Sequence, residues 1–400
     1  MERPPTHRLW ATTRALSVGL LTVTLLSWSH PLYTDPLHLS IGTGGAGGVY
    51  HTYGTGLAHV AGSDPDTRIR VLTTAASVEN NRLVASGSLD AGFTLADVAA
   101  LAVQGEEPFD RPLPITAIAR LYDNHTHVVV RADSPYQSVS DLAGGTVSVG
   151  ALGSGTEMMA ERLLRASGLG EDGEGIESGI PMDEEGPRDE ERATPPSGPS
   201  GVTRLRLSIG ASASALEEGR VDAFFWSGGL PTKVVADLAE RTPIRLLDLS
   251  EHVPDMVEEY GEFFSELPVP AGTYENVPAV RTIGVPSLLV ANEQMPDRTA
   301  EALTRLLFES RNELAEIHPV ALQLHPRSAI STLPVPLHPG AVSYYRSVKY
   351  AHDSPASPPG PLRTPPPARE GRSPGAGSGR RSRSAVPVAT TGSPPGAPAG

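Results

Sequence analysis

Residues 37–50 read LHLSIGTGGAGGVY, an apolar run that breaks into a cluster of glycines and resumes at Val49 and Tyr50 with helical spacing. A strand that ends in glycine and opens a helix is the repeating unit of α/β folds. Glycine lets the backbone approach a ligand closely, and the free N–H groups and dipole at the start of the helix favour an anion there. Gly44, Gly47, Gly48, Val49 and Tyr50 are therefore candidate ligand contacts. Gly42, Gly44 and Gly47 also satisfy G-x-G-x-x-G, so a dinucleotide site is the alternative. The acidic residues about 20 positions on, Asp64 and Asp66, weigh against it: they fall in the turn before the next strand, not at its end where a ribose ligand belongs.

The pattern returns twice. Residues 147–157, VSVGALGSGTE, again run from a strand through glycine into a helix, and Ser154 and Thr156 either cap that helix or offer hydroxyls to a carboxylate, with Gly155 between them. No Lys follows, which excludes a P-loop. Residues 224–231, FFWSGGLP, break at Gly228 and Gly229 before Pro231 starts a helix, so Ser227 and Gly228 join the candidate set. Residues 77–81, SVENN, follow the second strand-like run, where doubly wound sheets place ligand residues. Glu79 suits an ammonium group and Asn80 an amide or hydroxyl, and an N-cap role for Ser77 or Asn80 fits the same pattern. Each glycine loop alone is also compatible with a tight turn. Two helix starts facing each other across a cleft would form a carboxylate clamp.

Outward from these loops the chain alternates strand-like and helix-like segments. Strand patterns fall at 37–41, 68–72, 91–95, 115–121, 127–131, 146–149, 205–209, 223–226, 244–247 and 282–290. Helical patterns fall at 49–61, 77–86, 156–167, 212–219, 231–241 and 296–318, the last with a stripe of Ala302, Leu303, Leu306, Leu307, Leu314 and Ile317.

Three segments lie outside this pattern. Residues 1–35 place Arg3, Arg8 and Arg14 before an apolar run at 15–28 and small residues at Ser27 and Ser29, the anatomy of an export signal or N-terminal anchor. Fourteen helical residues reach only about 21 Å, short of a ~30 Å hydrocarbon core, which favours a cleaved leader over a stable span. Residues 170–201 concentrate Asp and Glu among Gly and Pro and are expected to form a solvated, disordered insertion. Residues 351–400 mix Pro, Gly, Ser and Arg after the last aromatic, Tyr350, and cannot build a core.

Composition narrows the function. The 400 residues include no Cys, which excludes disulfides, Cys-ligated zinc or iron–sulfur sites and a thiol nucleophile. A net charge of −14 argues against nucleic-acid binding, which relies on Lys and Arg against phosphates. No G-x-S-x-G is present, since the nearest string, 210–214 GASAS, ends in Ser. No H-E-x-x-H occurs, and His125 and His127 on one strand pattern fit packing or surface roles better than metal ligation. Binding without catalysis and without a cofactor is the simplest account. Its alternatives are an extracytoplasmic ligand sensor feeding a signalling partner and a nicotinamide-dependent oxidoreductase.

Seven ordered stretches resemble one family, the TAXI-type solute-binding subunits of tripartite ATP-independent periplasmic (TRAP) transporters. They are IGTGGAGGVY (41–50), SVENNRLVASGSLDAGFTLADV (77–98), ARLYDNHTHVVVR (119–131), SVSDLAGGTVSVGALGSGTE (138–157), LEEGRVDAFFWSGGLP (216–231), PVPAGTY (268–274) and PLHPGAVSYY (336–345). The resemblance implies an α/β, type II periplasmic-binding-protein fold, two α/β lobes joined by two crossover strands at 115–131 and 282–290. Residues 37–125 and 280–350 would form the first lobe and 126–279 the second. It further implies an exported, monomeric receptor that binds a small carboxylate or amino acid, such as glutamate, between the lobes and hands it to a TRAP-type, ion-gradient-driven membrane permease. Tyr274, in the PVPAGTY stretch, joins the ligand-binding set on this resemblance alone. The acidic insertion, the Arg-rich tail and the lack of a downstream apolar segment depart from the family pattern and touch none of the quoted motifs.

Overall fold

The computed structural model describes residues 37–170 and 201–353; the leader, acidic-insertion and tail readings fall on 1–36, 171–200 and 354–400, outside the described residues. In chain order the elements are β1 Leu37–Gly42, α1 Val49–Ala61, β2 Thr67–Leu72, α2 Ser77–Ala85, β3 Ala91–Leu95, α3 Ala96–Gln104 and β4 Ile115–Arg131. There follow β5 Thr146–Ser148, α4 Gly155–Ala166, β6 Thr203–Leu205, α5 Ile209–Glu217, β7 Ala223–Gly228, α6 Lys233–Arg241, β8 Ile244–Leu246, α7 Val253–Tyr260 and β9 Ser265–Val269. The last are β10 Val280–Asn292, α8 Asp297–Glu309, α9 Arg311–Ile317, α10 Pro326–Ala329 and α11 Pro339–Asp353. Among the described residues no helix is long and apolar enough to cross a membrane.

The sheet runs β2-β1-β3-β10-β4-β7-β5-β6, with β8 added to β4 and β9 to β10. Strands β1, β2 and β3 are parallel, as are β5, β6 and β7, and each parallel group is fed by βα units. The two long strands are antiparallel to each other and join the groups. Strand β10 pairs with β3 through 287–291 and with β9 through 280–284. Strand β4 pairs with β10 as far as His125, then with β7 through 125–130 and with β8 at 129–131. The hand-over is at one rung: His125 lies opposite Gly284 on one side and Gly228 on the other. Two α/β lobes joined by two crossing strands form the type II periplasmic-binding fold.

The two strand patterns at 115–121 and 127–131 are thus one strand of 17 residues. The polar interruption Asp123-Asn124-His125 resembles a turn in sequence, yet these residues carry the strand from one lobe to the other and are paired throughout. The long helical pattern at 296–318 divides at Ser310. Leu303 and Leu307 of α8 are buried in the first lobe's core, whereas Leu314 and Ile317 of α9 pack on Gly56 of α1, where an added Cβ would sit 3.0 Å from Ile317. The expected strand at 205–209 lies earlier, at Thr203–Leu205, because the Ser208 hydroxyl accepts from Ala211 N and starts α5.

Candidate ligand-binding site

The β1–α1 loop turns through Gly47, whose φ of +87° suits glycine. Its backbone meets the other lobe: a Cβ on Gly47 would lie 2.5 Å from Val234, and one on Gly48 would lie 3.1 Å from the Trp226 indole. Gly44 is buried beside Ala76, and Val49 begins α1 facing Gly229. The hydroxyl of Tyr50 accepts from Ser287 Oγ at 3.0 Å, and Asn124 Nδ2 donates to the same Ser287 oxygen. Tyr50 stacks on Phe93 at 5.1 Å and meets Tyr122 edge-on. Burial pushes the Tyr50 hydroxyl well above the usual tyrosine range, with the Asp97 charge adding to the shift and the neighbouring Ser287, Asn124 and Ser77 opposing it. At neutral pH it is therefore a protonated, enclosed hydroxyl.

The turn into α2 is held under strain. Ala76 has φ 86° and ψ −129°, a conformation that costs about 1–3 kcal/mol for a residue with a Cβ. Its neighbours over-determine it. Glu79 Oε2 accepts from Ala75 N at 2.5 Å, Thr74 Oγ1 accepts from Ala76 N at 3.1 Å, and Asn80 N donates to Ala76 O at 2.7 Å. The buried Asn80 side chain donates to Thr43 O at 2.7 Å and Phe93 O at 2.8 Å and accepts from Thr74 Oγ1 at 2.7 Å. Glu79 and Asn80 thus brace the wall of the cleft with polar groups already engaged.

The second lobe answers with α4. The Ser154 hydroxyl accepts from Glu157 N at 3.0 Å, while Glu157 takes Gly153 N at 2.7 Å and Arg206 Nε at 2.6 Å, so this helix start is locked in place. Thr156 Oγ1 accepts from Ser227 N at 3.2 Å, tying the β7–α6 turn to it. Ser227 Oγ is buried and, within the described structure, has no hydrogen-bond partner. Gly228 occupies the hand-over rung opposite His125, with its Cα face against the Trp226 ring. Across the lobes, Gly153 O accepts from Val78 N at 3.1 Å and Glu79 N at 3.4 Å, and a Cβ on Gly155 would fall 2.5 Å from Leu95 and 2.7 Å from Ser77 Oγ. The starts of α2 and α4 therefore face each other.

Tyr274 stands apart. It is buried in the second lobe, where its hydroxyl bonds Thr232 N at 3.2 Å and His127 Nε2 at 2.9 Å. Thr232 Oγ1 in turn accepts from Trp226 Nε1 at 2.9 Å, so Tyr274 reaches the seam only through the indole it helps to orient. Burial, with the neighbouring His125 charge second, pushes His127 down to about 3, and His127 is neutral in this network.

Several seam residues were not singled out from sequence. Trp226, Ser287, Asn124 and Tyr122 line it, His318 Nε2 donates to Pro231 O at 3.0 Å across the lobes, and Asp97 pairs with Arg162. Asp97 was within reach, since it belongs to the quoted ADV string. Its partner lies 65 positions away, a spacing no local pattern reports. A cavity of about 200 Å³, bordered by Ala96, Arg120, Glu262, Pro286 and Thr332, contains none of the thirteen expected residues, although Ala96 and Pro286 are the chain neighbours of Asp97 and Ser287. Among the described residues no group of three or more His, Asp or Glu is placed to hold a metal ion.

Comparison with known proteins places this geometry in context. The family described as "NMT1-like family" matches residues 41–186 and 200–348. Solved structures similar at a distance include the periplasmic aliphatic sulphonate binding protein SsuA from Escherichia coli (14% identity, 78% of this chain and 79% of that one, TM-score 0.39). The alkanesulfonate-binding protein SsuA from Xanthomonas axonopodis pv. citri bound to MOPS is 17% identical over 80% of this chain and 94% of that one, with a TM-score of 0.39. An ancestral arginine-binding protein bound to arginine is 12% identical over 72% of this chain and 98% of that one, with a TM-score of 0.41.

Proposed function

The chain belongs to the NMT1-like family, solute receptors of the type II periplasmic-binding fold, and we propose that this member binds a small carboxylate or amino acid between its lobes. The observation that carries the reading is the meeting of two helix starts from opposite lobes, at Ser77 and Gly155, beside the enclosed hydroxyls of Tyr50 and Ser287 and the unpaired Ser227 Oγ. Neutral hydroxyl donors and the first N–H groups of α4 are the groups a carboxylate needs, whereas the Val78 and Glu79 N–H groups of α2 are taken by Gly153 O and serve to hold the two helix starts together.

Closure supplies the mechanism. With the lobes apart the glycine loops are hydrated; a carboxylate bridging them interacts with both lobes only when they are together, and that difference biases the hinge at His125 and Gly284. A micromolar receptor needs about −8 kcal/mol in total. A few charge-assisted hydrogen bonds of ~1.5–3 kcal/mol each are sufficient after ordering costs are subtracted. In this reading Gly44, Gly47, Gly48, Val49, Tyr50, Ser154, Gly155, Thr156, Ser227 and Gly228 form the faces that close, while Glu79, Asn80 and Tyr274 hold those faces in place.

The resemblance of the quoted motifs to TAXI-type subunits supports the finer assignment: an exported receptor that delivers its solute to a TRAP-type permease driven by an ion gradient. Thermal melting of the full chain against amino acids, dicarboxylates and hydroxy acids tests the ligand class, with NAD as the control for the oxidoreductase alternative. A rise in melting temperature with a carboxylate and none with NAD is expected. No shift with any carboxylate or amino acid refutes the ligand class.

A further inference from the structure

A buried ion pair joins the lobes at their seam. Arg162, two turns into α4, donates through Nη1 to Oδ2 of Asp97 in the first turn of α3, and the side chains are 8% and 3% exposed. The guanidinium lies 4.3 Å over the Tyr260 ring, which holds it in the second lobe while its contact reaches into the first. The pair is incomplete on the acid's side: Asp97 Oδ1 is enclosed and accepts no hydrogen bond. A buried carboxylate oxygen without a donor is costly, and such groups are normally satisfied by protein, water or ligand.

Asp97 lies near the cleft wall. It stands two positions after Leu95, which faces Gly155 of the other lobe, and its pairing with Arg162 spans the seam. The other acids near the seam are engaged. Glu79 is turned onto Ala75 N in its own loop, and Glu157 is held by Gly153 N and Arg206. Glu161 has an unpaired oxygen too, but it pairs with Arg204 of β6, on the side of α4 that packs into the second lobe.

We propose that Asp97 is the specificity-determining residue of the cleft, accepting a cationic nitrogen of the ligand on Oδ1 while Arg162 holds Oδ2. The proposal rests on the reading of the cleft as a site for small carboxylates or amino acids, and it narrows that reading to ligands that carry an ammonium group beside the carboxylate. A ligand with the same skeleton and no ammonium leaves the oxygen without a donor and its own carboxylate with no cation between it and Asp97, which is discrimination by an unmet polar group. Arg162 acts through Asp97, as a positioning residue.

Calorimetric titration of the full chain with matched pairs tests this: L-glutamate against glutarate, L-aspartate against succinate, L-alanine against propionate, and L-leucine against 4-methylpentanoate. In the pair that binds, the amino acid is expected to be tighter by about tenfold to hundredfold, the range of one charge-assisted hydrogen bond. In Asp97→Asn that preference should largely disappear. Because this variant leaves the Arg162 charge buried, Asp97→Asn/Arg162→Met is measured beside it, and the wild-type comparison stands even if neither variant folds. Equal affinity for both members of a pair overturns the proposal and leaves the carboxylate reading intact. A preference that survives in a folded Asp97 variant also overturns it. Binding of no member of any pair, or of any other carboxylate or amino acid, removes both.

Discussion

The carbonyl oxygen of Gly153 accepts a hydrogen bond from the amide of Val78 at 3.1 Å, although the two residues belong to opposite lobes. The start of α2 thus holds the loop that precedes α4, and in the proposed closure mechanism parting of the lobes would break this contact. Gly155, two residues on, leaves no space for a side chain, since a Cβ there would fall 2.5 Å from Leu95 and 2.7 Å from Ser77 Oγ. Gly155→Val should therefore fold but close poorly. The expected result is a loss of ligand affinity of about a hundredfold or more, a larger radius of gyration in solution scattering, and a melting temperature within a few degrees of wild type. Parallel loss of fold and binding would return the loop to the role of a tight turn.

Asn80 predicts the opposite outcome. Its buried amide ties Thr43 O, Phe93 O and Thr74 Oγ1 together, and Asn80→Ala leaves two buried carbonyls without this donor. Stability should fall by about 2–4 kcal/mol, read from the midpoint of urea unfolding. Affinity at a temperature where the variant remains folded should change less than in Gly155→Val.

The loops were legible in sequence as strand-to-helix breaks because an apolar run stops at glycine and resumes with helical spacing, and the sheet was legible because most of its strands are short and apolar. What stayed hidden had no local signature. Helix α3 reads ADVAALAVQ, with six of nine residues buried, so it shows no amphipathic stripe. The crossing strand β4 carries Asp123, Asn124 and His125 at its centre because that is where one lobe's pairing ends and the other's begins. Glu79 was the natural candidate for an ammonium group from its position after β2, but its carboxylate closes its own turn, which only the strained geometry at Ala76 explains.

The network around His127 gives a pH signature. Burial holds the folded His127 near 3, whereas an unfolded histidine titrates near 6.5. Between those values the unfolded chain binds the extra proton, so this residue's contribution to stability is complete above about pH 6.5 and declines as pH falls toward 3. The slope it adds is at most about 1.4 kcal/mol per pH unit. Urea midpoints at pH 7, 5.5 and 4.5 should fall more steeply in wild type than in His127→Gln, and identical slopes would contradict the assignment.

Trp226 provides an optical report of the seam. Of the three tryptophans, Trp10 and Trp28 lie in the N-terminal segment, and Trp226 packs on Gly48 of the facing lobe with its indole N–H on Thr232. Ligand addition should alter the intensity or emission maximum of tryptophan fluorescence, and Trp226→Phe should abolish the change. A response that persists in the variant would place the optical change elsewhere.

Binding between the lobes is tested most directly by amide hydrogen exchange of the full chain, with and without the small carboxylate or amino acid that gives the largest thermal shift. Protection is expected to rise together in four separated segments, 43–51, 74–80, 152–158 and 226–229, because one ligand closes one lobe's loops onto the other's. Protection confined to the surroundings of Arg120, Glu262 and Thr332, with these four segments unchanged, would move the site to the cavity those residues border and contradict the account.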